Sequence, residues 1–444
     1  MSTESFCSKL ERFRDLQKID DQLCDLIKHH IHAITQIKGW GVRSNVTGSV
    51  FEGAISARMF CLDKEHDEKI TKEIEADIEF VYCDFTNQCK DAVVDIAGKP
   101  GYAKLKVDKK ILDLIEKDEF RNHAKDAINE DGYISSNKLK EIFSKNSDFD
   151  YGILKFIMSS AMDVRADEVK LNTTCYMPTK SSITSSVKVY VHDKYKACLT
   201  WDVIIAVKLP WWPSVANEWV NRKRAWPNKD LAQELCEYAY MITKPSDDEK
   251  ENDSAVENRY SFSCVERKLS ELYTKEQKLV YLIAKSIFYR WLKPFDPENV
   301  SSFFAKTIMC WLVEEYPPGH VLWEEASVLC VIQLFFAKFE AAFTTGHLEY
   351  YFIPEINVLR NISEDVRMKL LEQSRLILKN TVSFVPDNIE EVIEHANFVC
   401  HVAEKSTRFW SQISHGRELL NAKQANSLTD FPLLFNPLCR LLHF

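Results

Sequence analysis

The chain has 444 residues, 45% hydrophobic and 12% aromatic, with a formal net charge of −9. That length and apolar content suit a large core divided between two lobes, and 11 glycines with 14 prolines exclude a low-complexity chain. The acidic balance excludes a generally basic nucleic-acid binder, so any nucleic-acid contact must come from a local patch.

The first residues, MSTESFCSKLERF, carry charges where a leader needs an apolar run. The longest mainly apolar run, near Val328–Ala337, is too short to span a bilayer. The 13 cysteines are scattered, without a Cys-x-x-Cys pair, and fit free thiols. These features predict a soluble, cytoplasmic protein without a membrane partner.

Residues 3–38 predict one long amphipathic helix. Leu10, Phe13, Leu16, Leu23, Leu26, Ile27, Ile31, Ile34 and Ile37 recur mostly at three- and four-residue steps, and Gly39 and Gly41 stop the pattern. His29, His30 and His32 lie on it, none at the i, i+4 spacing of a helical metal pair. Val42–Val46 predicts a short strand leading into a turn at Gly48-Ser49, and Val50–Met59 a helix after it. Glu73–Phe85 predicts a second strand, in which Glu75-Ala76-Asp77-Ile78-Glu79-Phe80 alternates acids with apolar residues at period two. A glycine turn before a helix start offers backbone N–H groups to a phosphate. Two carboxylates two apart on a neighbouring strand can hold the divalent metals that phosphates need. Either feature alone is common in ordinary turns and edge strands.

Residues 100–165 predict a charged helical section. Asp131-Gly132 there looks like part of a calcium loop, but that register puts Ala127 first and Lys138 twelfth, and neither side chain binds calcium. Strands are predicted again at Ser186–His192 and Ala197–Lys208. Asp202 stands alone in the apolar run of the latter, which leaves two readings: a structural ion pair, or a third metal ligand beside Glu75 and Asp77. Pro210-Trp211-Trp212-Pro213 ends the strand and marks a lobe boundary. After residue 215 the pattern is helical almost throughout, with patches at Ser263–Leu272, Lys275–Leu292, Ser301–Glu315, Glu324–Thr344 and Glu364–Leu378. A polar break falls at 245–258, and the last 60 residues read as helical with no chemistry.

In this order the motifs resemble the cyclic GMP–AMP synthase-like receptors within the Mab-21 group of nucleotidyltransferases, over about residues 40–375. Gly48-Ser49 with Glu52-Gly53 is similar to the family's phosphate turn. Glu75 and Asp77 are similar to its first acid pair. Asp202 in WDVIIAVKLPWWP is similar to its third acid. Arg259-Tyr260-Ser261-Phe262-Ser263, Ser301-Ser302-Phe303-Phe304-Ala305-Lys306-Thr307 and Leu348–Leu359 are similar to elements of its second lobe.

The resemblance implies an α+β, bilobal nucleotidyltransferase fold. It has a spine helix at 1–38, a mixed-sheet catalytic lobe at 39–215 and a helical lobe at 216–444. It implies a cyclic dinucleotide synthase that joins two nucleoside triphosphates with Mg²⁺ or Mn²⁺ held by Glu75, Asp77 and Asp202. Gly48, Ser49, Arg259, Ser261, Lys285 and Ser302 are the implied nucleotide contacts, with Phe303 stacking on a base; Lys278 rivals Lys285. Cys264–Lys275 has one Cys and no His where the vertebrate enzyme has a zinc cluster, so no structural zinc is expected. Relatives without that cluster include double-stranded RNA sensors, which makes double-stranded RNA the expected activator, with oligomers, if any, forming only on that ligand. Ile204 replaces a threonine that contacts a base, which leaves the choice of bases open. The alternatives are a catalytically silent scaffold that binds a nucleotide or a protein, and a synthase with a different activator.

Overall fold

The computed structural model describes residues 3–37, 44–61, 70–115, 118–145, 158–159, 162–179, 182–246 and 255–424. Helix α1 (Thr3–Ile37) forms where the periodicity places it. Its buried stripe runs Phe6, Leu10, Phe13, Leu16, Leu23, Cys24 and Ile27. Two polar residues, Gln17 and Asp20, fill the missing apolar steps of that stripe and are themselves buried. Gln17 donates to the Lys275 carbonyl at 2.9 Å.

Among the described residues one nine-stranded sheet runs β1 (Ser44–Thr47), β2 (Glu73–Asp84), β7 (Lys194–Leu209), β8 (Ala239–Ile242), β9 (Glu257–Ser261), β4 (Tyr102–Leu105) and β3 (Val93–Asp95). Strands β5 (Val169–Pro178) and β6 (Ile183–Val191) attach through β6 to β7. The central pair, β2 and β7, is parallel, and the other pairs are antiparallel. The long strand β7 holds β2 along one edge. On its other edge it holds β6 first and then β8.

Three expectations from the sequence are corrected. The helix expected at 50–59 is broken: α2 (Ser49–Glu52) is one turn long, and a 3₁₀ turn follows at Ser56–Phe60. Gly53 takes the left-handed conformation (φ 66°) that ends α2, and the Ser56 backbone N–H turns to the Asp20 carboxylate. The region after 215 is not helical almost throughout, because β8 and β9 extend the sheet. The charged section from residue 100 opens on a strand, β4, before its short helices Lys109–Asp113, Asp118–Asp126 and Ser136–Lys145.

The helical side comprises α3 (Ser263–Glu271), α4 (Lys275–Trp291), α5 (Phe303–Glu315), α6 (Val328–Thr345), α7 (Glu364–Lys379) and α8 (Ile389–Gln424). Helix α4 begins in a full capping box between Thr274 and Gln277. Helix α6, with the turn before it, gives a 21-residue segment long and apolar enough to cross a membrane, longer than the run read from the sequence. Its apolar residues Ile332, Phe335, Phe336, Phe339 and Phe343 are instead fully buried in the helical core.

Helix α8 lies parallel to α1 along most of its length. Arg12 pairs with Glu390 at 2.6 Å, Gln22 donates to Glu404 at 3.1 Å, and Thr407 donates to the Leu26 carbonyl at 3.5 Å.

Candidate active site

The site begins with the register of the two parallel strands. Asp77 on β2 stands directly beside Asp202 on β7, and Thr47 on β1 stands on the other side of Asp77. Side chains two apart on a strand share a face, so Glu75 and Asp77 point the same way. Glu75, Asp77 and Asp202 each offer a carboxylate oxygen, and these oxygens lie within 4.8 Å of one another. Among the described residues no other group of His, Cys, Asp and Glu has this geometry.

Three carboxylates this close repel unless a cation joins them. Burial, and then the neighbouring Asp202, push the Asp77 carboxyl up to about 6. The Thr184 hydroxyl donates to Asp202, and Arg58 pairs with Glu75 and also with Glu73 at 3.0 Å. Oxygen donors from three carboxylates are the ligand chemistry of Mg²⁺ or Mn²⁺. The turn at Gly48 fits the same purpose. A Cβ on Gly48 would lie 2.0 Å from Asp77 Oδ2, and the backbone there has φ 65°. Only glycine lets the turn close over the acid.

Ser49 follows at the start of α2, beside the ammonium of Lys285 on α4, which donates to Ser49 Oγ at 2.9 Å. Lys285 also binds Glu52 Oε2 at 2.9 Å, and Lys306 on α5 binds Glu52 Oε1 at 2.8 Å. Burial opposes the charge on Glu52, yet Lys285 and Lys306 outweigh it and hold that carboxyl well below its ordinary range. Lys306 reaches Glu266 as well, at 2.9 Å. A buried network thus ties the Gly-Ser turn of one lobe to three helices of the other.

These groups surround one cavity of about 320 Å³. Of the residues singled out in the sequence, Gly48, Ser49, Glu75, Asp77, Arg259, Ser261, Lys285, Ser302 and Phe303 line it. Neither Asp202 nor Lys278 is part of its lining, but a carboxylate oxygen of Asp202 lies within 4.8 Å of those of Glu75 and Asp77, which are. Phe303 packs against Tyr350, with ring centroids 5.3 Å apart, and the Arg259 guanidinium stands 6.0 Å from the Phe303 ring.

The sequence reading passed over Arg58, Glu79, Glu266, Lys306 and Tyr350, which line the same cavity. Lys306 was within reach, since it belongs to the Ser-Ser-Phe-Phe-Ala-Lys-Thr stretch. Glu79 is the third acid of the alternation that gives Glu75 and Asp77. It is 2% exposed, and burial pushes its carboxyl up to about 7 against hydrogen bonds from Ser263 and Ser261.

The sequence matches the Mab-21 protein nucleotidyltransferase domain over residues 77–270 and the Mab-21 protein HhH/H2TH-like domain over residues 285–375. The chain belongs to the Mab-21 family. The first match runs past residue 215 and takes in β8 and β9, in keeping with their place in the sheet. In this Mab-21 protein the acid triad falls on the nucleotidyltransferase match or, for Glu75, two residues before it. Lys285 opens the second match, which also holds Ser302, Phe303 and Lys306. The candidate site therefore draws on both matched regions.

Proposed function

We propose that this Mab-21 protein is a cyclic dinucleotide synthase that joins two nucleoside triphosphates. The observation that carries the reading is the convergence of Glu75, Asp77 and Asp202 beneath the Gly48-Ser49 turn. Nucleotidyl transfer forms a bond between a ribose hydroxyl oxygen of one nucleotide and the α-phosphorus of another. It breaks the α–β phosphoanhydride bond, releases pyrophosphate, and sends the hydroxyl proton to a base. A divalent ion such as Mg²⁺ held by the three acids would supply the Lewis acidity that makes the hydroxyl acidic and the pyrophosphate a better leaving group.

The chain's own residues do the remaining work. Asp202 is the acid placed to orient the attacking hydroxyl or take its proton. Ser49 and the N–H groups at the start of α2 grip phosphate oxygens, and Lys285 neutralises them. Phe303 offers its ring to a base, and Ser302 contacts phosphate. The cavity is large enough for small-molecule substrates.

The resemblance favours double-stranded RNA as the activator. A specific observation supports a second reading, with the same chemistry and a different activator: the net charge is −9, the opposite of what a nucleic-acid ligand attracts. Purified protein with four labelled nucleoside triphosphates and Mg²⁺ or Mn²⁺ tests both. A phosphatase-resistant product only with double-stranded RNA, with activation falling steeply as salt rises, supports the first reading. Product without any nucleic acid shows a synthase that needs no such activator. No product under any condition, including Mn²⁺, argues for an activator of another kind or for the silent scaffold.

A further inference from the structure

The acids of β2 that share the triad's face begin before Glu75. Glu73 stands two residues earlier, so Glu73, Glu75 and Asp77 form a ladder with steps of about 7 Å. Arg58 bridges its outer two rungs: Nη2 pairs with Glu73 Oε2 at 3.0 Å, and Nη1 donates to Glu75 Oε2. The two acids differ in what else they do. Glu73 Oε1 accepts from the Thr200 hydroxyl on β7 at 3.0 Å, which leaves Oε2 turned to Arg58. Glu75 belongs to the triad, with a carboxylate oxygen within 4.8 Å of those of Asp77 and Asp202. Arg58 and Glu75 line the cavity, whereas Glu73 does not. The backbone beneath Arg58 is pinned. Asp20 holds both the N–H and the hydroxyl of Ser56, and the Cys61 N–H closes the turn on the Arg58 carbonyl at 3.0 Å. The Arg58 side chain, only partly buried, is the part with freedom to move.

We propose that Arg58 gates metal binding at the triad: it shares Glu75 with an entering divalent ion, and the ion's arrival shifts the guanidinium onto Glu73. This inference rests on the reading of Glu75, Asp77 and Asp202 as a metal site. A guanidinium and a divalent ion seek the same thing from Glu75, a carboxylate oxygen with its negative charge. Two cations on one carboxylate repel, so each weakens the hold of the other. Glu73 offers the guanidinium a second acid, already fixed by Thr200 and set outside the cavity. A short swing of the side chain toward Glu73 keeps one ion pair and frees Glu75. Arg58 is thus a positioning residue that acts through Glu75, and Glu73 acts through Arg58.

The experiment is calorimetric titration of Mn²⁺ into the full chain without nucleotide. It uses the parent, Arg58→Met, Glu73→Gln and the double variant, with Asp202→Asn as the control for the metal site and a thermal melt of each protein. Arg58→Met is expected to bind Mn²⁺ about tenfold tighter than the parent or more. Arg58→Gln, which keeps a hydrogen-bond donor without the charge, is expected to shift the same way, so the result does not hang on the fold of one variant. Glu73→Gln is expected to bind about threefold more weakly or worse, because the guanidinium then has Glu75 alone to hold. In the double variant the Glu73 substitution is expected to change little beyond Arg58→Met, because its effect runs through Arg58. If Arg58 merely holds Glu75 in place for the ion, both Arg58 variants bind Mn²⁺ more weakly, and that result overturns the gate. Effects of Arg58→Met and Glu73→Gln that simply add are those of two independent charges, and they overturn the transfer to Glu73. A parent that binds Mn²⁺ no more tightly than Asp202→Asn overturns the metal site and this inference with it.

Discussion

Gly48 and Asp77 show how much of the site depends on single atoms. The Cβ of an alanine at 48 would overlap the Asp77 carboxylate, and the positive φ would be strained as well. Gly48→Ala is expected to lower nucleotidyl transfer by about 10²-fold or more, on the scale of a misplaced catalytic group. It should also weaken Mn²⁺ binding, read by calorimetry. Asp77→Asn separates stability from activity. Burial and Asp202 raise the Asp77 carboxyl to about 6, so its charge opposes folding of the metal-free protein as pH rises through that value. The amide is expected to raise the melting temperature of metal-free protein at pH 8 while abolishing transfer. A lower melt together with retained activity would contradict both roles. The three acids of the triad were legible in the sequence because alternation and isolation in an apolar strand are local signals. Arg58 and Glu266 were not, because their roles depend on partners 15 to 40 residues away that only the fold supplies.

At the scale of elements, polar residues inside apolar faces do the positioning. Asp20 is fully buried in α1 and accepts from both the backbone N–H and the hydroxyl of Ser56, at 3.2 and 2.9 Å. It thereby anchors the 3₁₀ turn that carries Arg58 to Glu75. Burial pushes the Asp20 carboxyl up to about 8, with the Ser56 hydrogen bonds opposing it. A carboxyl whose folded value exceeds its unfolded value contributes most below the unfolded value, and that contribution is lost as pH rises to the folded one. Asp20→Asn is therefore expected to melt higher than the parent, by a margin that grows from pH 5 to pH 8 and then levels. The growth is at most about 1.4 kcal/mol per pH unit. A constant margin would contradict the assignment.

The same scale explains what the sequence hid. Helix α1 announced itself because nine apolar positions keep one period, and the gap at Gln17 and Asp20 was the trace of a polar anchor. Strand β8 is four apolar residues with no alternation, and β9 (Glu-Asn-Arg-Tyr-Ser) looks like a polar loop. Both are strands because β7 and β4 present open edges to them. Pairing of that kind has no local signature. Gly53 within 50–59 was a legible helix stop whose weight went to the apolar residues around it.

Across the whole molecule, the acids come from the sheet and the lysines from the helical side, so the site exists only when both are packed together. Glu52 is the hinge of that union, bound by Lys285 and Lys306. Glu52→Gln is expected to leave the two lysines short of their partner and cost about 3–5 kcal/mol, seen as a lower denaturant midpoint. The pairing of α8 with α1 depends on burial more than on charge. The Arg12–Glu390 pair is more than half exposed and is worth under about 1 kcal/mol. Leu23 is 0% exposed, and Leu23→Ala is expected to cost about 2–5 kcal/mol against near nothing for Arg12→Ala. Equal effects of the two substitutions would contradict that ranking.

The central claim is that the acid triad and the Gly48-Ser49 turn form one site for a metal and a triphosphate. Titration of GTP into the parent and into Asp202→Asn, each with Mg²⁺ and with EDTA, tests it without needing an activator. The account predicts binding by the parent that requires Mg²⁺ and is lost in Asp202→Asn, while the metal-free variant melts no lower than the parent. Equal GTP binding by parent and variant, or binding indifferent to EDTA, would contradict it.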